Sequence, residues 1–286
     1  MVGECKVGRM IDIQILERSD SEITLILKGV PLEYANAIRR AVLEEVPTMA
    51  IDYVVFYDNT SALSDEIISH RLSVLPLKSD TAIEHYREPE ECRSSPSPSG
   101  CYTSLYLEAE TAQQEELVVY SGDLKPQEDP EIVPVYRDIP IMKLGPQQRV
   151  VLEAWARLGR GREHIKWSPA TVSVLTYIPT ITISLDKCNM CKLCVENCPT
   201  KAIDIRNSEI QVNESKCILC RQCVKVCGAE AIELGWREDE YKLHVESSGA
   251  LRPERVVLEA MIQVKKKLMN FYEEFERVLS SSGVKL

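Results

Sequence analysis

Eight cysteines, set in two runs of identical spacing, are the residues of this 286-residue chain best equipped for chemistry. The first run is CNMCKLCVENCP, residues 188–199, and the second, CILCRQCVKVCG, starts at Cys217. Cys188, Cys191, Cys194 and Cys198 map at one offset onto Cys217, Cys220, Cys223 and Cys227, and Ala202-Ile203 maps onto Ala231-Ile232. The pattern C-x2-C-x2-C-x3-C is the ligand spacing of bacterial two-cluster iron–sulfur proteins. Three cysteines on a tight loop each reach one iron of a cubane; the fourth opens a helix that leads away and so ligates the other cluster. The spacing therefore predicts one cluster on Cys188, Cys191, Cys194 and Cys227. It predicts a second on Cys217, Cys220, Cys223 and Cys198.

Paired C-x2-C motifs also make four-cysteine zinc sites. Two complete tandem runs favour two iron–sulfur clusters of the [4Fe-4S] type instead. Pro199 follows the first run, but Gly228 stands at the matching place in the second. That departure makes Cys227 the weaker ligand and leaves a [3Fe-4S] form open at one site. Three further cysteines remain. Cys92 and Cys101 flank a Ser/Pro loop and are read as ordinary thiols, with pairing or metal binding as alternatives.

A net charge of −10 argues against a general nucleic-acid binder, so no direct nucleic-acid contact is expected. No apolar run reaches the roughly 20 residues needed to span a bilayer, and the N-terminus lacks a secretory core. A reducing, cytoplasmic setting is the expectation, which favours metal over disulfides for clustered thiols.

The elements that must position these residues are mixed. Residues 10–28 alternate as a hairpin around Ser19-Asp20-Ser21. PLEYANAIRRAVLEEVP reads as a helix between Pro31 and Pro47. IDYVVFY, YTSLYLEAE, EELVVYSGDL, residues 170–185 and YKLHVESSG read as strands. VVLEAWARLG begins with a helical pattern before the basic loop GRGREHIKWSP. The longest helix starts near Arg252-Pro253-Glu254. Its residues Val257, Met261, Val264, Leu268, Phe271, Phe275 and Val278 make a heptad seam. At ~1.5 Å per residue it is about 40 Å long, more than a small domain needs for its own core.

No dinucleotide or phosphate-loop motif, zinc-protease motif or nucleophile elbow occurs, so no catalytic residues are assigned. An iron–sulfur electron-transfer subunit of an oxidoreductase is the alternative, and it lacks a visible flavin, nicotinamide or substrate site.

PLEYANAIRRAVLEEVPTMAID resembles the signature helix of the α-type RNA polymerase assembly subunits, and HRLSVLPL resembles their second motif. GRGREHIKWSP is similar to the stretch that closes the family's inserted domain. YKLHVESSGALRPERVVLEAMIQVKKKL is similar to its last strand and dimerisation helix. With a ferredoxin-like insertion, the resemblance is to the archaeal D-type polymerase subunits, counterparts of the bacterial α N-terminal domain and of the third-largest subunit of eukaryotic polymerase II.

The resemblance implies an α+β fold with a discontinuous dimerisation domain in residues 1–49, 168–184 and 236–286. A mostly β insert domain would occupy 50–167 and a ferredoxin-like domain 185–235. It implies a non-catalytic scaffold of a nucleotidyltransferase complex that pairs with subunit L and then binds subunits N and B, the last being the large catalytic subunit. Tyr34, Ile38, Val257, Met261, Val264, Leu268, Phe271 and Phe275 are the residues expected at the subunit interface. Asn36, Arg39, Arg40, Arg160, Arg162, His164 and Lys166 are expected to meet the large catalytic subunit.

Overall fold

The computed structural model describes residues 11–94, 100–206 and 209–282. Cys5 and the Ser/Pro stretch 95–99 lie outside the described residues. The chain opens with the expected hairpin, β1 (Asp12–Arg18) and β2 (Glu22–Lys28), then helix α1 (Leu32–Glu44) and strand β3 (Pro47–Asn59). Helices α2 (Asp65–Ser73), α3 (Ala82–His85) and α4 (Pro89–Ser94) lead to β4 (Tyr102–Glu110), β5 (Leu117–Tyr120), β6 (Lys125–Pro126), β7 (Pro140–Leu144), β8 (Arg149–Arg160) and β9 (Ala170–Ile183). The cysteine region holds α5 (Leu193–Glu196), β10 (Ile203–Arg206), β11 (Glu209–Val212) and α6 (Gln222–Val226). Strand β12 (Ile232–Ser247) and helix α7 (Pro253–Ser281) complete the chain. The sheets run in the orders β1-β2-β12-β9, β3-β8-β4-β6, β10-β11 and β5-β7.

The described chain divides into two compact units. One comprises the residues through Leu16, Leu25–Ala35 and Leu175–Leu243, and the other Glu17–Thr24, Asn36–Val174 and the residues from His244 onward. The larger unit has the larger core, in which Ile51, Ile68, Leu72, Leu77, Leu105, Leu107 and Leu152 are fully buried. Leu72, Leu75 and Leu77 show what the HRLSVLPL motif does locally: it drives three leucines into that core. The other unit buries Leu25, Leu27, Val30, Tyr241 and Leu243. Around its cysteines the cluster is small: Ile203, Cys223 and Ile232 form it, with Ile181, Ile183 and Val195 against them.

β8 corrects the helical reading of VVLEAWARLG. Val150, Leu152, Ala154, Ala156 and Leu158 are buried on one side, while Glu153, Trp155 and Arg157 are half-buried on the other. That is a period of two, and antiparallel neighbours on both edges, β3 and β4, satisfy its backbone. Short apolar runs do not distinguish strand from helix by periodicity alone; the partners decide.

A second correction concerns Cys92 and Cys101, expected to be free thiols on a loop. The Arg87 N–H donates to the Gly100 carbonyl, closing the loop, and α4 orders the residues after it. The two cysteines thereby come within 5.8 Å at Cα and are disulfide-bonded.

The GRGREHIKWSP stretch closes the C-terminal end of α1. Helix ends leave carbonyls without intrahelical donors, and here the Arg162 N–H reaches the Glu44 carbonyl while an Arg160 guanidinium N–H reaches that of Glu45. The approach is so close that a Cβ on Gly161 would fall 1.9 Å from the Leu43 carbonyl oxygen. A Cβ on Gly159 would meet the Trp167 ring at 2.3 Å. By contrast, a Cβ on Gly228 meets nothing within 4 Å. Gly161→Ala is therefore expected to destabilise its unit by about 3 kcal/mol, the upper range for overpacking. Gly228→Ala should leave stability unchanged or raise it by up to about 1 kcal/mol. Thermal unfolding of the two variants checks the contrast; equal losses would show that the close approach at Gly161 has no such role.

Candidate metal centre

The two cysteine runs fold into near-identical loops. Met190 and Lys192 in the first, and Leu219 and Arg221 in the second, adopt left-handed backbone with φ of 56°, 63°, 56° and 62°. None is glycine, and such conformations cost on the order of 1 kcal/mol or more each. They alternate with the cysteines and wrap the backbone into turns; in the second, the Leu219 N–H donates to Cys217 Sγ at 3.5 Å. Lys192 and Arg221 then start α5 and α6.

The result is two hollows in this unit. Cys188, Cys191, Cys194 and Cys227 line one, floored by Ile183, Ile205, Ile210 and Ile232. Cys198, Cys217, Cys220 and Cys223 line the other, with Ile181, Ile203 and Leu234. Each hollow takes three cysteines from one run and the fourth from the other.

Gly228 does not disturb the second run. The Ala231 N–H donates to Cys227 Sγ at 3.3 Å, matching the Ala202 N–H on Cys198 Sγ at 3.2 Å. Lys201 and Glu230, which precede these alanines, share left-handed φ values of 52° and 50°. The chain therefore turns after Cys227 without help from a proline.

The donor set fits a polynuclear centre better than a single ion. Tetrahedral zinc holds thiolates at ~2.3 Å and so brings sulfurs within about 3.8 Å of one another. Among the described residues no three of these sulfurs lie within 4.8 Å of one another. Burial pushes the Cys194 thiol up, and the neighbouring Cys188 and Cys191 add to this. Cys223 is raised in the same way, by burial and then by Cys217, Cys220 and Cys198. Burial would also raise Cys198, but the Ala202 N–H and other backbone amides outweigh it and hold that thiol low. Crowded thiolates repel each other, and only a cationic centre relieves the repulsion.

The expected interface residues fall into two kinds. On α7, Val257 is 4% exposed and packed within its own unit, and Met261 and Val264 are half-buried. Leu268, Phe271 and Phe275 are 52%, 71% and 53% exposed, and the rings of Phe271 and Phe275 stack 6.4 Å apart. Tyr34 is exposed on α1 and Ile38 is half-buried.

The residues expected to meet the large catalytic subunit divide as well. Asn36, Arg39 and Arg40 lie on α1, where Arg39 Nε donates to Asn36 Oδ1 at 2.8 Å and Arg40 pairs with Glu44 at 3.4 Å. Arg162 and His164 are exposed, and His164 Nδ1 accepts from the Lys166 N–H. Arg160 and Lys166 turn inward instead. The Arg160 side chain is 5% exposed and donates to Glu88 at 2.6 Å, Glu90 at 2.9 Å and Gln263 at 3.1 Å. Burial alone would raise the Glu90 carboxyl, but the Arg160 guanidinium beside it holds it below its ordinary range. Lys166 Nζ reaches the Ile51 carbonyl at 2.9 Å and Asp52 at 3.3 Å, above the Trp167 ring. The sequence alone does not single out Glu88, Glu90 and Gln263. The signal it does carry is the acidic REPEE segment, whose charge complements GRGR.

Comparison with known proteins agrees with this arrangement. Residues 54–180 match the model of the RNA polymerase Rpb3/RpoA insert domain, and residues 180–228 match that of the 4Fe-4S dicluster domain. DNA-directed RNA polymerase subunit Rpo3 of Aeropyrum pernix is 38% identical over 274 residues, covering 93% of this chain and 96% of the relative. The Rpo3 subunit of Methanothermobacter thermautotrophicus is 41% identical over 252 residues, covering 87% and 93%. That of Pyrococcus horikoshii is 37% identical over 273 residues, covering 94% and 99%. These relatives favour the polymerase reading over the electron-transfer one, and the chain belongs to the Rpo3 family of archaeal DNA-directed RNA polymerase subunits.

Proposed function

We propose that this chain is a non-catalytic assembly subunit of the archaeal RNA polymerase, which pairs with subunit L through α7 and organises subunits N and B. One observation carries the reading. The root of α7 is buried in its own unit, whereas the same heptad seam continues past it as Leu268, Phe271, Phe275 and Val278, all more than half exposed. An amphipathic helix that leaves such a seam uncovered is stable in water only when another surface takes it. The Asn36–Arg39–Arg40 cluster on α1, with Asn36 and Arg40 exposed and Arg39 half-buried, supports a separate contact with the large catalytic subunit, since guanidinium forks suit carboxylates and carbonyls on a protein surface. Arg162 and His164 remain candidates for the same contact. No helix among the described residues is long and apolar enough to cross a membrane.

We propose further that Cys188, Cys191, Cys194 and Cys227 hold one [4Fe-4S] cluster and Cys217, Cys220, Cys223 and Cys198 a second. When bound, the clusters supply cationic, polarisable centres that neutralise the thiolates and cross-link the two loops. The protein's part is to present four sulfurs per hollow and to aim backbone N–H groups at them. A cysteine region with so small an apolar cluster of its own gains its order from such bonds. The role is therefore structural first, and it makes assembly sensitive to oxygen.

Two experiments test these proposals. Anaerobically prepared protein is expected to contain about eight iron and eight sulfide per chain, or about seven iron if one site holds three. Cys194→Ser and Cys223→Ser should each lose visible absorbance and lower polymerase assembly. Assembly and transcription unchanged in air and in both variants would refute the structural role.

For α7, Phe271→Glu and Leu268→Glu should each weaken pairing with subunit L by at least about 2 kcal/mol, roughly 30-fold. The isolated chain should unfold within about 0.5 kcal/mol of the parent, as surface substitutions do. Val257→Glu should instead unfold the chain itself. Co-purification and thermal unfolding separate these outcomes, and unimpaired pairing of Phe271→Glu would remove α7 from the interface.

A further inference from the structure

The sheet β3-β8-β4-β6 buries one face against the core and leaves much of the other open. On β3, Tyr53, Val55 and Tyr57 point away from the core and are 46%, 38% and 63% exposed. The register sets Trp155 opposite Tyr53 and Glu153 opposite Val55. On the far side of β8, Tyr106 lies opposite Glu153, and Tyr102 opposite Arg157. Tyr53 stacks on Trp155 with ring centroids 5.9 Å apart and meets Tyr102 edge-on at 5.7 Å. Rings from three adjacent strands therefore make one platform, unlike apolar residues scattered singly over a surface.

Exposed aromatic residues on a sheet face suit two very different polymers: single-stranded nucleic acid, whose bases stack on the rings, and extended polypeptide. Charge separates them. Nucleic acid needs free arginine and lysine beside the rings, and the arginines of this face are spent within the chain. Arg149 is held by Glu108 at 2.8 Å, Glu110 at 3.7 Å and Asp58 at 3.8 Å. Arg157 is held by Asp52 at 2.9 Å and Glu163 at 3.5 Å, and it lies over the Trp167 ring. Lys125, beside Tyr106, is the remaining cation near the rings, and it lies in the field of Glu108. Glu153 differs. It stands in the middle of the rings and accepts the Tyr57 O–H at 3.0 Å, and among the described residues no cation pairs with it.

We propose that this face docks an extended, basic segment of another polypeptide, with an arginine or lysine on Glu153 and apolar residues along Tyr53, Trp155 and Tyr102. A carboxylate set among ring faces favours a cation twice, through a charge-assisted hydrogen bond and through cation–π attraction. The same carboxylate repels phosphate. Side chains of an extended segment recur on one side every ~6.7 Å, a spacing that matches successive outward residues of β3. The surface is separate from the proposed α7 contact, and its test does not depend on that reading.

The isolated full-length chain is titrated with a fluorescein-labelled peptide of Arg-Pro-Leu repeats, and in parallel with labelled oligo(dT), by anisotropy. The peptide should bind, and the oligonucleotide should neither bind comparably nor compete. Glu153→Gln, which keeps the Tyr57 hydrogen bond, should weaken the peptide at least about tenfold. Tyr57→Ser, at the most exposed ring, should leave thermal stability intact and weaken it several-fold. In the assembled polymerase, p-benzoylphenylalanine placed at position 57 should cross-link to a basic stretch of a neighbouring subunit. Oligonucleotide binding as tight as peptide binding, peptide affinity unchanged in Glu153→Gln, or a cross-link confined to nucleic acid would each overturn the proposal.

Discussion

The end of α1 is closed by another part of the chain, and the larger unit is organised around that closure. Arg160 and Arg162 arrive on the tail of β8 and give N–H donors to the carbonyls of Glu45 and Glu44, groups the helix cannot satisfy itself. A guanidinium brought to a nearly closed site needs its remaining donors paired. Glu88 and Glu90, just before α4 and in its first turn, take two directions, and Gln263 of α7 takes the third. One side chain thus fixes α1, α4 and α7 relative to β8. Buried ion pairs contribute little net stability, because desolvation offsets attraction. What this one contributes is register: it fixes where the root of α7 lies, and hence where its uncovered half begins.

The cysteine-bearing unit solves a different problem. The apolar cluster around its cysteines has three buried members, two of them isoleucines. Two non-glycine residues in left-handed backbone around the first three cysteines of each run add cost rather than relieve it. Loops with little apolar burial and several strained residues need something to bond them together. In the proposed ligation eight thiols in two crossed sets supply that, because each set includes a cysteine from the opposite run. The crossing would make the two halves interdependent: loss of one cluster would free a ligand from both loops.

The features legible in the sequence are those set by neighbours in the chain. The cysteine spacing fixes which sulfurs share a loop and points to the crossed fourth cysteine that lines each hollow. α1 and α7 announce themselves by helical periodicity, and Pro253 stands at the first turn of α7 as a helix start requires. β8 reads wrongly as a helix because a short apolar run fits either period until its neighbours are known. Arg160 reads as a surface residue because its partners lie 70 to 115 residues away in sequence. Cys92 and Cys101 read as free because the hydrogen bond that closes their loop comes from the folded chain, which the Ser/Pro composition does not reveal.

The α7 seam shows the limit of periodicity in another form. Residues 257 to 278 follow one heptad rule throughout, yet the rule serves two owners. Near the root the stripe meets the chain's own core, with Val257 buried and Met261 and Val264 half-buried. Beyond Val264 the same stripe faces outward with larger side chains, Leu268, Phe271 and Phe275. Lys266 and Lys267 lie at the change of ownership and pair with Glu88 and Glu45, the acidic residues around Arg160. A stripe that enlarges where the chain's own cover ends is what a helix needs when its outer half must fill a space supplied by another subunit. In the proposed pairing, aromatic residues at that outer end would give the contact most of its area for the fewest side chains ordered. The interior arginine and the exterior phenylalanines would then be two parts of one device, the first aiming the helix and the second giving its far end something to bind with.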